Sequence, residues 1–198
     1  MTFILYNRED CPFCWKVRLV AEFVGVEFDF INVERGEQNE DVISLNPGGT
    51  VPVMITESFV LWDSSLIAIY LADAHKEAGL LPEDAAHRVQ IMQTCLYSDV
   101  YFGKAIFPYV KEMRKPNHED RDIQILSQSR ERFEYALGWL STFFSQMGGS
   151  EKPNLMDCTF FPRFALADKY GLKFDHAQDY ARWYGAFKEL DQVKAAYY

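Results

Sequence analysis

The sequence predicts two domains of different classes, an α/β domain followed by an all-helical domain. Strand and helix signals alternate over residues 1–75, whereas every periodic signal over residues 84–198 is helical. The segment between them, residues 76–83, contains Gly79 and Pro82 and has the character of a linker. A chain of 198 residues is long enough for one large domain or two small ones, which fits this division.

The first domain is predicted to follow the order β-α-β-α-β-β-α. A strand at 3–6 precedes a helix over about 12–24, which Gly25 ends in the position where helices commonly stop. Residues 27–33 alternate apolar and polar side chains with a period of two, which is typical of a half-buried strand. The remaining elements are a short helix through 42–45, strands at 51–55 and 58–62, and a helix that opens at Asp63.

The second domain is predicted to contain helices at about 84–113, 118–147, 154–171 and, as one or two short elements, 176–196. Pro108 is expected to bend the first of these helices, and Gly148-Gly149 to end the second. Asn154 and Asp157 begin the third in a pattern similar to a capping box, in which two side chains satisfy backbone N–H groups reciprocally.

Composition and charge exclude several classes of function. The chain is 48% hydrophobic and 25% charged, so it can bury a sizeable core, and disorder is not expected. The formal net charge of −9 opposes nucleic acids and anionic membranes as partners, because both require clustered Lys and Arg. No apolar run approaches the ~20 residues of a membrane span, and no signal peptide is expected. Four cysteines do not make a disulfide scaffold in a chain of this length, so we expect a cytoplasmic protein.

The segment Cys11-Pro12-Phe13-Cys14 lies between the first predicted strand and the first predicted helix. A thiol at a helix N-terminus lies near the positive end of the helix dipole and near unpaired backbone N–H groups. Both features favour the thiolate, which is the reactive form of cysteine. A strand, then Cys-x-x-Cys, then a helix is therefore typical of thiol-transfer or redox chemistry.

Two other interpretations of these cysteines are weaker. A zinc site needs about four ligands, but Cys95 and Cys158 are isolated in the sequence and no histidine lies near the motif. We therefore predict no bound metal. Cys11 and Cys14 could instead be ordinary buried thiols, and the sequence alone leaves that interpretation open.

Three further segments are unusual. Asn46-Pro47-Gly48-Gly49 is a strong break in secondary structure. Val51-Pro52 opens the next strand, where the proline is either cis or an ordinary trans proline at a strand start. Asp63-Ser64 begins a helix, and Asp is a good N-cap residue.

These motifs, in this order and spacing, resemble those of the cytosolic glutathione S-transferase superfamily. The likeness rests on Cys11–Cys14, Asn46–Val53, Asp63-Ser64 and the Asn154-x-x-Asp157 helix start, and it covers nearly the whole chain. It implies a thioredoxin-like N-terminal domain and a C-terminal helical bundle. The Cys-Pro-Phe start is most similar to the omega and dehydroascorbate reductase branches, and the second thiol is similar to that of two-domain bacterial glutaredoxins.

The resemblance implies that Cys11 forms a mixed disulfide with glutathione, which would be a cosubstrate, and that Phe13 contacts the tripeptide. Cys14 would be more buried, with a higher pKa, and optional as a resolving thiol. Cys11 would be the exposed nucleophile. Lys16 and Arg18 on the same helix could add positive potential, although cations on an exposed helix face are usually solvated.

The other end of glutathione is assigned by the same resemblance. Pro52 would be cis, and Val51 would present its backbone N–H and C=O to the cysteinyl part of the tripeptide. A carboxylate at Asp63 would accept from the α-ammonium, while Ser64 and the helix N-terminus would receive the α-carboxylate. Asp63 could also simply cap the helix. Gln38 falls where omega enzymes carry a lysine that contacts glutathione, so this contact would be uncharged.

The acceptor side and the oligomeric state are less determined. Tyr101 and Phe102 could wall an apolar acceptor pocket, although most aromatic residues on that helix are expected in core or dimer packing. The resemblance also implies a homodimer, for which Phe59 on the hairpin edge is a candidate contact.

Three functions follow from the sequence. The first is a glutathione-dependent thiol transferase or reductase that acts through Cys11 on a small-molecule or protein-thiol substrate. The second is a conventional glutathione S-transferase that conjugates electrophiles. The third is a non-catalytic partner-binding protein on the same fold, similar to bacterial stringent-starvation proteins, and the intact Cys-x-x-Cys opposes it.

Overall fold

The computed structural model describes residues 3–147 and 152–197. They form two compact units, and Asp84–Lys188 make up the second unit by themselves. The first unit combines the described residues up to Glu83 with those from Glu189 onward. The residues from Glu189 onward thus group with the first unit, whereas the sequence analysis assigned 84–198 to one helical domain.

The C-terminal segment packs on the first helix of the first unit. Val193 is fully buried, and the Tyr197 ring meets the Trp15 ring edge-on at 4.9 Å. The segment predicted as a linker, residues 76–83, groups with this unit, and its Leu80 and Leu81 are buried. Both departures arise from apolar contacts between residues distant in sequence, which a local pattern does not reveal.

The first unit contains a four-stranded sheet in the order β2-β1-β3-β4. Strand β1 pairs parallel with β2 and antiparallel with β3, which pairs antiparallel with β4. The elements are β1 (Phe3–Asn7), α1 (Pro12–Val24), β2 (Phe28–Asn32), α2 (Glu40–Leu45), β3 (Val53–Ile55), β4 (Val60–Trp62), α3 (Ser64–Ala74) and α9 (Asp191–Ala195). The predicted β-α-β-α-β-β-α order and the thioredoxin-like fold are confirmed.

Helix α1 is bounded as the sequence indicates. Cys11 is its N-cap residue, and Pro12 occupies the first turn, where the missing N–H costs no hydrogen bond. Gly25 ends the helix with φ of 71°, and its N–H donates to the carbonyl of Ala21. The buried face of α1 packs against α3, which fixes the start of α1 relative to the sheet.

Strand β4 is shorter than predicted because the preceding turn is longer. The Thr56 hydroxyl oxygen accepts hydrogen bonds from the backbone N–H groups of Ser58 and Phe59, at 3.2 and 3.0 Å. These bonds close the turn over 56–59, so the strand begins at Val60.

Every regular element among the described residues of the second unit is a helix. Its helices are α4 (Ala85–Tyr97), α5 (Gly103–Met113), α6 (Ile123–Met147), α7 (Leu155–Lys169) and α8 (Gln178–Lys188). A π-helical turn, Ser98–Phe102, joins α4 to α5, so the predicted long helix is present with one widened turn. Pro108 lies inside α5. In the described part of the chain, no helix is long and apolar enough to cross a membrane.

Helix α6 begins later than predicted because Asp122 caps it. The carboxylate of Asp122 accepts hydrogen bonds from the N–H groups of Gln124 and Ile125, at 2.8 and 3.1 Å. The preceding residues, His118–Asp120, form a 3₁₀ turn. Gly148 and Gly149, expected to end this helix, lie outside the described residues.

Helix α7 is the central element of the second unit and is buried from Leu155 to Ala167. A helix that is apolar around its whole circumference is expected at the centre of a helical bundle. Its start is the predicted capping box: Asn154 accepts from Met156 N–H at 2.8 Å, and Asp157 accepts from Asn154 N–H at 2.7 Å. Asp157 also accepts from the Trp183 indole N–H at 2.7 Å, and burial raises its pKa to about 6.

We predict that Asp157→Ala lowers the free energy of unfolding by about 2–4 kcal/mol, because two donors would lose their acceptor in a buried site. Asp179→Ala is the control, since Asp179 pairs with Arg182 at the surface and its loss should cost less than about 0.5 kcal/mol. Urea denaturation followed by circular dichroism measures both. Equal stability of the two variants would contradict the assigned role of the capping box.

Candidate active site

The sheet topology brings four predicted site segments to one edge. Parallel β1 and β2 end at this edge, β3 starts there, and β4 ends there, since Tyr6 pairs with Val53 and Val53 with Trp62. The segments that leave or enter this edge contain Cys11, Gln38, Val51-Pro52 and Asp63-Ser64. Residues from four separate stretches of sequence therefore lie at one side of the first unit.

Cys11 lies at the first turn of α1, but its side chain is not open to solvent. The residue is 2% exposed, and Pro12 and Cys14 beside it are also buried. The prediction of an exposed nucleophile is therefore wrong, because the start of α1 is enclosed by packing. The backbone N–H of Cys11 donates to the carbonyl of Arg8 at 3.1 Å, which closes the loop between β1 and α1.

The two thiols of the motif have opposite pKa shifts. A hydrogen bond from the Cys14 side chain is the largest cause that lowers the pKa of Cys11, to about 6, against the opposing effect of burial. The backbone N–H groups of Cys14 and Phe13 and the charge of Arg8 lower it further. Burial raises the pKa of Cys14 well above its ordinary value, so Cys14 stays a thiol and donates to the Cys11 thiolate.

Cys14 is fully buried and its pKa is raised, and its side chain has a further part in the site. The sequence treats Cys14 as an optional resolving thiol. In the structure its S–H group is the main stabiliser of the Cys11 thiolate. Cys14 can therefore matter for reactivity without ever forming a disulfide with Cys11.

Arg8 is a site residue that the sequence analysis missed. Its charge favours the Cys11 thiolate, and its Nε atom lies 3.3 Å from the carboxylate of Asp10. Arg8 and Val51 both line a small cavity of about 90 Å³. A cation three residues before a Cys-x-x-Cys motif is the signal that could have identified it.

The basic residues on α1 have structural contacts that the sequence did not predict. Arg18 donates to the Asn7 side-chain oxygen at 2.6 Å and to the Glu9 carbonyl at 3.0 Å, so it braces the loop that leads to Cys11. Lys16 is buried, and its Nζ atom donates to the Ser65 hydroxyl at 2.9 Å. Neither residue is a solvated cation on an exposed helix face.

The peptide bond between Val51 and Pro52 is cis, as the resemblance implied. Pro52 is buried and Val51 is half-buried. The loop before them is held by the buried side chain of Asn46, which donates to the Thr50 carbonyl at 2.7 Å and accepts from Gly48 N–H at 2.9 Å. The break in the sequence at Asn46–Gly49 is therefore an ordered turn that positions Val51.

Asp63 has an unusual backbone at the start of α3. Its φ is 74°, and among the described residues it is the only non-glycine residue with a positive φ. Such a conformation costs about 1–3 kcal/mol and is found often at functional sites. The carboxylate accepts from the N–H groups of Ser65 and Leu66, at 2.8 and 3.1 Å, so Asp63 does cap the helix. Ser64 follows as the first helical residue and is buried.

Gln38 and Phe13, the two remaining predicted glutathione contacts, lie near the starts of α2 and α1. Gln38 is exposed in the loop before α2, next to the N-cap residue Asn39. Phe13 is half-buried in the first turn of α1. Among the described residues, no group of three or more His, Cys, Asp and Glu side chains is arranged to hold a metal ion.

Tyr101 and Phe102, the two aromatic residues proposed for an acceptor pocket, lie in different environments. Phe102 is fully buried and packs against Phe133, Phe160 and Phe164 at ring distances of 5.6, 5.5 and 5.1 Å. It is a core residue of the second unit, which corrects the prediction that it walls a pocket. Tyr101 is 63% exposed and lines a groove of about 940 Å³ within the second unit.

The four-stranded sheet and its helices define a thioredoxin-like fold, with Cys11 and Cys14 at the start of α1. Residues 10–74 match the family model of the glutathione S-transferase N-terminal domain. Glutathione S-transferase D7 of Anopheles gambiae is 30% identical over 152 residues, 74% of this chain and 66% of that relative, just under two thirds of its length. The chain is thus similar to glutathione S-transferases, with the family match confined to residues 10–74.

Two further comparisons cover almost the whole chain. Glutathione S-transferase omega-1 of Rattus norvegicus is 23% identical over 198 residues, which are 98% of this chain and 79% of that relative. Ure2p in complex with glutathione has a similar fold, with a TM-score of 0.86 and 16% identity over 98% of this chain and 97% of that chain. The similarity to Ure2p concerns the fold alone.

We predict that Cys14→Ala raises the pKa of Cys11 above its wild-type value of about 6, because the thiolate loses its main hydrogen-bond donor. Cys14→Ser is the matched variant, since its hydroxyl can still donate, and should stay closer to wild type. Because the pKa of Cys11 is lowered, its thiolate is lost only as the pH falls through about 6. Alkylation of Cys11 in the wild-type protein should therefore slow below that pH. The rate of iodoacetamide labelling of Cys11 against pH measures this. If the pH midpoint of Cys11 labelling is the same in wild type and in Cys14→Ala, the assignment of Cys14 as hydrogen-bond donor is wrong.

Proposed function

We propose that this protein is a glutathione-dependent thiol transferase that works through a mixed disulfide on Cys11. The observation that carries the proposal is the position of Cys11 as the N-cap residue of α1, at the sheet edge that also contains the cis Val51-Pro52 bond, and the pKa of Cys11 is lowered there to about 6. A cysteine with that pKa is thiolate at neutral pH, and thiolate is the form that attacks a disulfide sulfur. The similarity of residues 10–74 to the glutathione S-transferase N-terminal domain supports glutathione as the ligand.

Glutathione would bind along the sheet edge described above. Val51, placed beside the cis proline, would offer its backbone N–H and C=O to the cysteinyl part. The start of α3 would hold the γ-glutamyl end, with Asp63 toward the α-ammonium and Ser64 toward the α-carboxylate. Phe13 and Gln38 would complete the contacts.

The chemistry proceeds in two exchange steps. The Cys11 thiolate attacks the glutathione sulfur of a glutathionylated substrate; the new Cys11–glutathione disulfide forms as the old disulfide breaks, and the substrate leaves as a thiolate that takes a proton from solvent. A second glutathione thiolate then attacks the glutathione sulfur on Cys11, which releases oxidised glutathione and restores the Cys11 thiolate. Each turnover consumes one reduced glutathione and converts the substrate's mixed disulfide into the substrate thiol and one oxidised glutathione.

The acceptor would be a small molecule or a protein thiol, and a reducing compartment such as the cytoplasm is its expected setting, because the cycle consumes reduced glutathione. Conjugation of electrophiles is the second candidate, and the name of the Anopheles gambiae relative favours it. If the protein conjugates glutathione to an aryl halide much faster than it reduces disulfides, conjugation is its main activity. If this protein binds a macromolecular partner but no glutathione, the non-catalytic alternative is supported.

We predict that incubation with oxidised glutathione adds ~305 Da to Cys11, as one glutathionyl group joined through a disulfide. Cys11→Ser should show no adduct and no reduction of a glutathionylated peptide, whereas Cys14→Ser should keep much of both activities. Cys158, which is fully buried with a raised pKa, is the internal control and should remain unmodified. Peptide mapping by mass spectrometry measures the adduct. Normal transferase activity in Cys11→Ser would overturn the proposal.

We also propose a homodimer, supported by an exposed apolar surface on each unit. In the first unit, large side chains on the β4 hairpin and the start of α3 are exposed, namely Phe59, Val60, Trp62 and Leu66. In the second unit, exposed Leu96, Tyr101, Tyr135 and Trp139 line the groove of about 940 Å³. Contiguous exposed apolar surface of this kind commonly marks an interface between proteins.

We expect Tyr135→Glu and Trp62→Glu each to shift the protein toward monomer, because a buried, unpaired carboxylate in an apolar interface is costly. Arg182→Ala changes an exposed residue that belongs to neither apolar surface, and it should leave the molar mass unchanged. Light scattering coupled to size-exclusion chromatography gives the mass. A monomeric wild-type protein would show that the dimer proposal is wrong.

A further inference from the structure

Strand β2 forms one edge of the sheet, and no other strand in the described part of the chain pairs with its outer side. Edge strands of soluble proteins are commonly protected against further pairing by lysine, proline, a bulge or a very short length. Strand β2 contains neither lysine nor proline, and it pairs with β1 in unbroken register from Phe28 to Asn32. Phe30 and Ile31 at its centre are exposed. The outer side of β2 is therefore available to a further strand.

The backbone groups on the outer side of β2 can be assigned from one hydrogen bond. The N–H of Val33 donates to the carbonyl of Asn7 on β1 at 2.8 Å. Because the backbone groups of successive strand residues point to opposite sides, those of Phe28, Phe30 and Asn32 point away from β1. The side chains of the same three residues share one face of the sheet, and with parts of α1 and α9 they line an open cleft of about 820 Å³. A strand added to β2 would lie along this β2 cleft.

The β2 cleft is acidic. The exposed residues Glu9, Glu22 and Glu27 line it. Of the described residues that line the cleft, only Arg18 is basic, and it donates to the Asn7 side chain and to the Glu9 carbonyl. Residues 19–34 contain four carboxylates and no lysine, arginine or histidine. This charge favours a basic strand as the occupant and disfavours a second copy of the same acidic edge.

We propose that the β2 cleft docks an extended basic segment of a partner protein, which adds to the sheet as a further strand. Main-chain hydrogen bonds to Phe28, Phe30 and Asn32 would hold the segment in place. Lysine or arginine at alternate positions of the segment would reach toward Glu22 and Glu27, and the apolar stems of these side chains would pack on the exposed rings.

This docking surface is separate from the function proposed for Cys11 and from the surfaces proposed for the dimer. Strand β2 lies at the opposite edge of the sheet from β4, which contributes to the dimer surface of the first unit. A segment bound along β2 would therefore leave the β4 hairpin free.

The probe is a fluorescein-labelled peptide, Lys-Thr-Lys-Val-Lys-Thr-Lys, with both ends capped, and fluorescence anisotropy measures its binding to the full chain. A matched peptide with glutamate in place of every lysine reverses the charge. Two further peptides carry N-methyl groups, one on all lysines and the other on all remaining residues. Each of these two lacks the N–H donors along one side of the strand, and only one of those sides can face β2.

We expect the lysine peptide to bind and the glutamate peptide not to bind. One N-methylated peptide should bind at least tenfold more weakly than the other, because it alone loses the donors that face β2. If the lysine peptide does not bind, or if the two N-methylated peptides bind equally well, the proposal is wrong.

Protein variants separate docking at β2 from a general attraction to an acidic protein. Glu22→Gln with Glu27→Gln should weaken binding roughly tenfold, whereas Glu83→Gln with Glu119→Gln removes two exposed charges elsewhere and should change it less than twofold. Phe30→Pro removes one outward N–H and should weaken binding more than Phe30→Ala, which keeps that N–H. Equal losses in the two double variants would overturn the proposal.

The remaining outcome is a second copy of the chain on the same edge. If light scattering shows that Phe30→Pro dissociates a dimer that Trp62→Glu leaves intact, the chain pairs with itself through β2 and the proposal is wrong. If Phe30→Pro does not fold, the two N-methylated peptides with the unaltered protein still decide whether a strand docks there.

Discussion

The pairing of Cys11 with Cys14 at the start of α1 is the interaction on which the proposed chemistry depends. Burial alone would keep Cys11 protonated, because a charged sulfur is costly away from water. The second thiol, the first amide groups of α1 and the charge of Arg8 together outweigh that cost and bring the pKa to about 6. The two cysteines therefore act as acceptor and donor before any disulfide chemistry begins.

The sheet determines which residues lie at the same edge as Cys11. One parallel and two antiparallel strand pairings place the ends of β1, β2 and β4 and the start of β3 at a common edge. Asn46 orders the turn before Val51, and Asp63 adopts a strained backbone while it caps α3. Lys16 on α1 also donates to the Ser65 hydroxyl and so connects α1 to the first turn of α3. The site is thus a set of loops held by a rigid sheet, a common arrangement in proteins of this layer type.

Local signals were sufficient for much of this architecture. Pro12 and Gly25 bound α1, Asn154 and Asp157 begin α7, and the fold class follows from the order of short-range patterns. The features that the sequence could not predict depend on contacts between distant residues. The burial of Lys16 requires α3, and the contrast between buried Phe102 and exposed Tyr101 requires knowledge of how α6 and α7 pack. The π-helical turn and the return of the C-terminal segment to the first unit are of the same kind.

The most direct test of the account is the pH dependence of the single-turnover reaction between Cys11 and oxidised glutathione, followed by stopped-flow detection of released glutathione. If Cys11 is the stabilised thiolate described above, the rate should rise with a midpoint near pH 6 and be almost constant from pH 7 to 8. A rate that continues to increase tenfold per pH unit through that range would mean an ordinary thiol with a pKa above 8. That result would contradict both the donor role of Cys14 and the proposed mechanism.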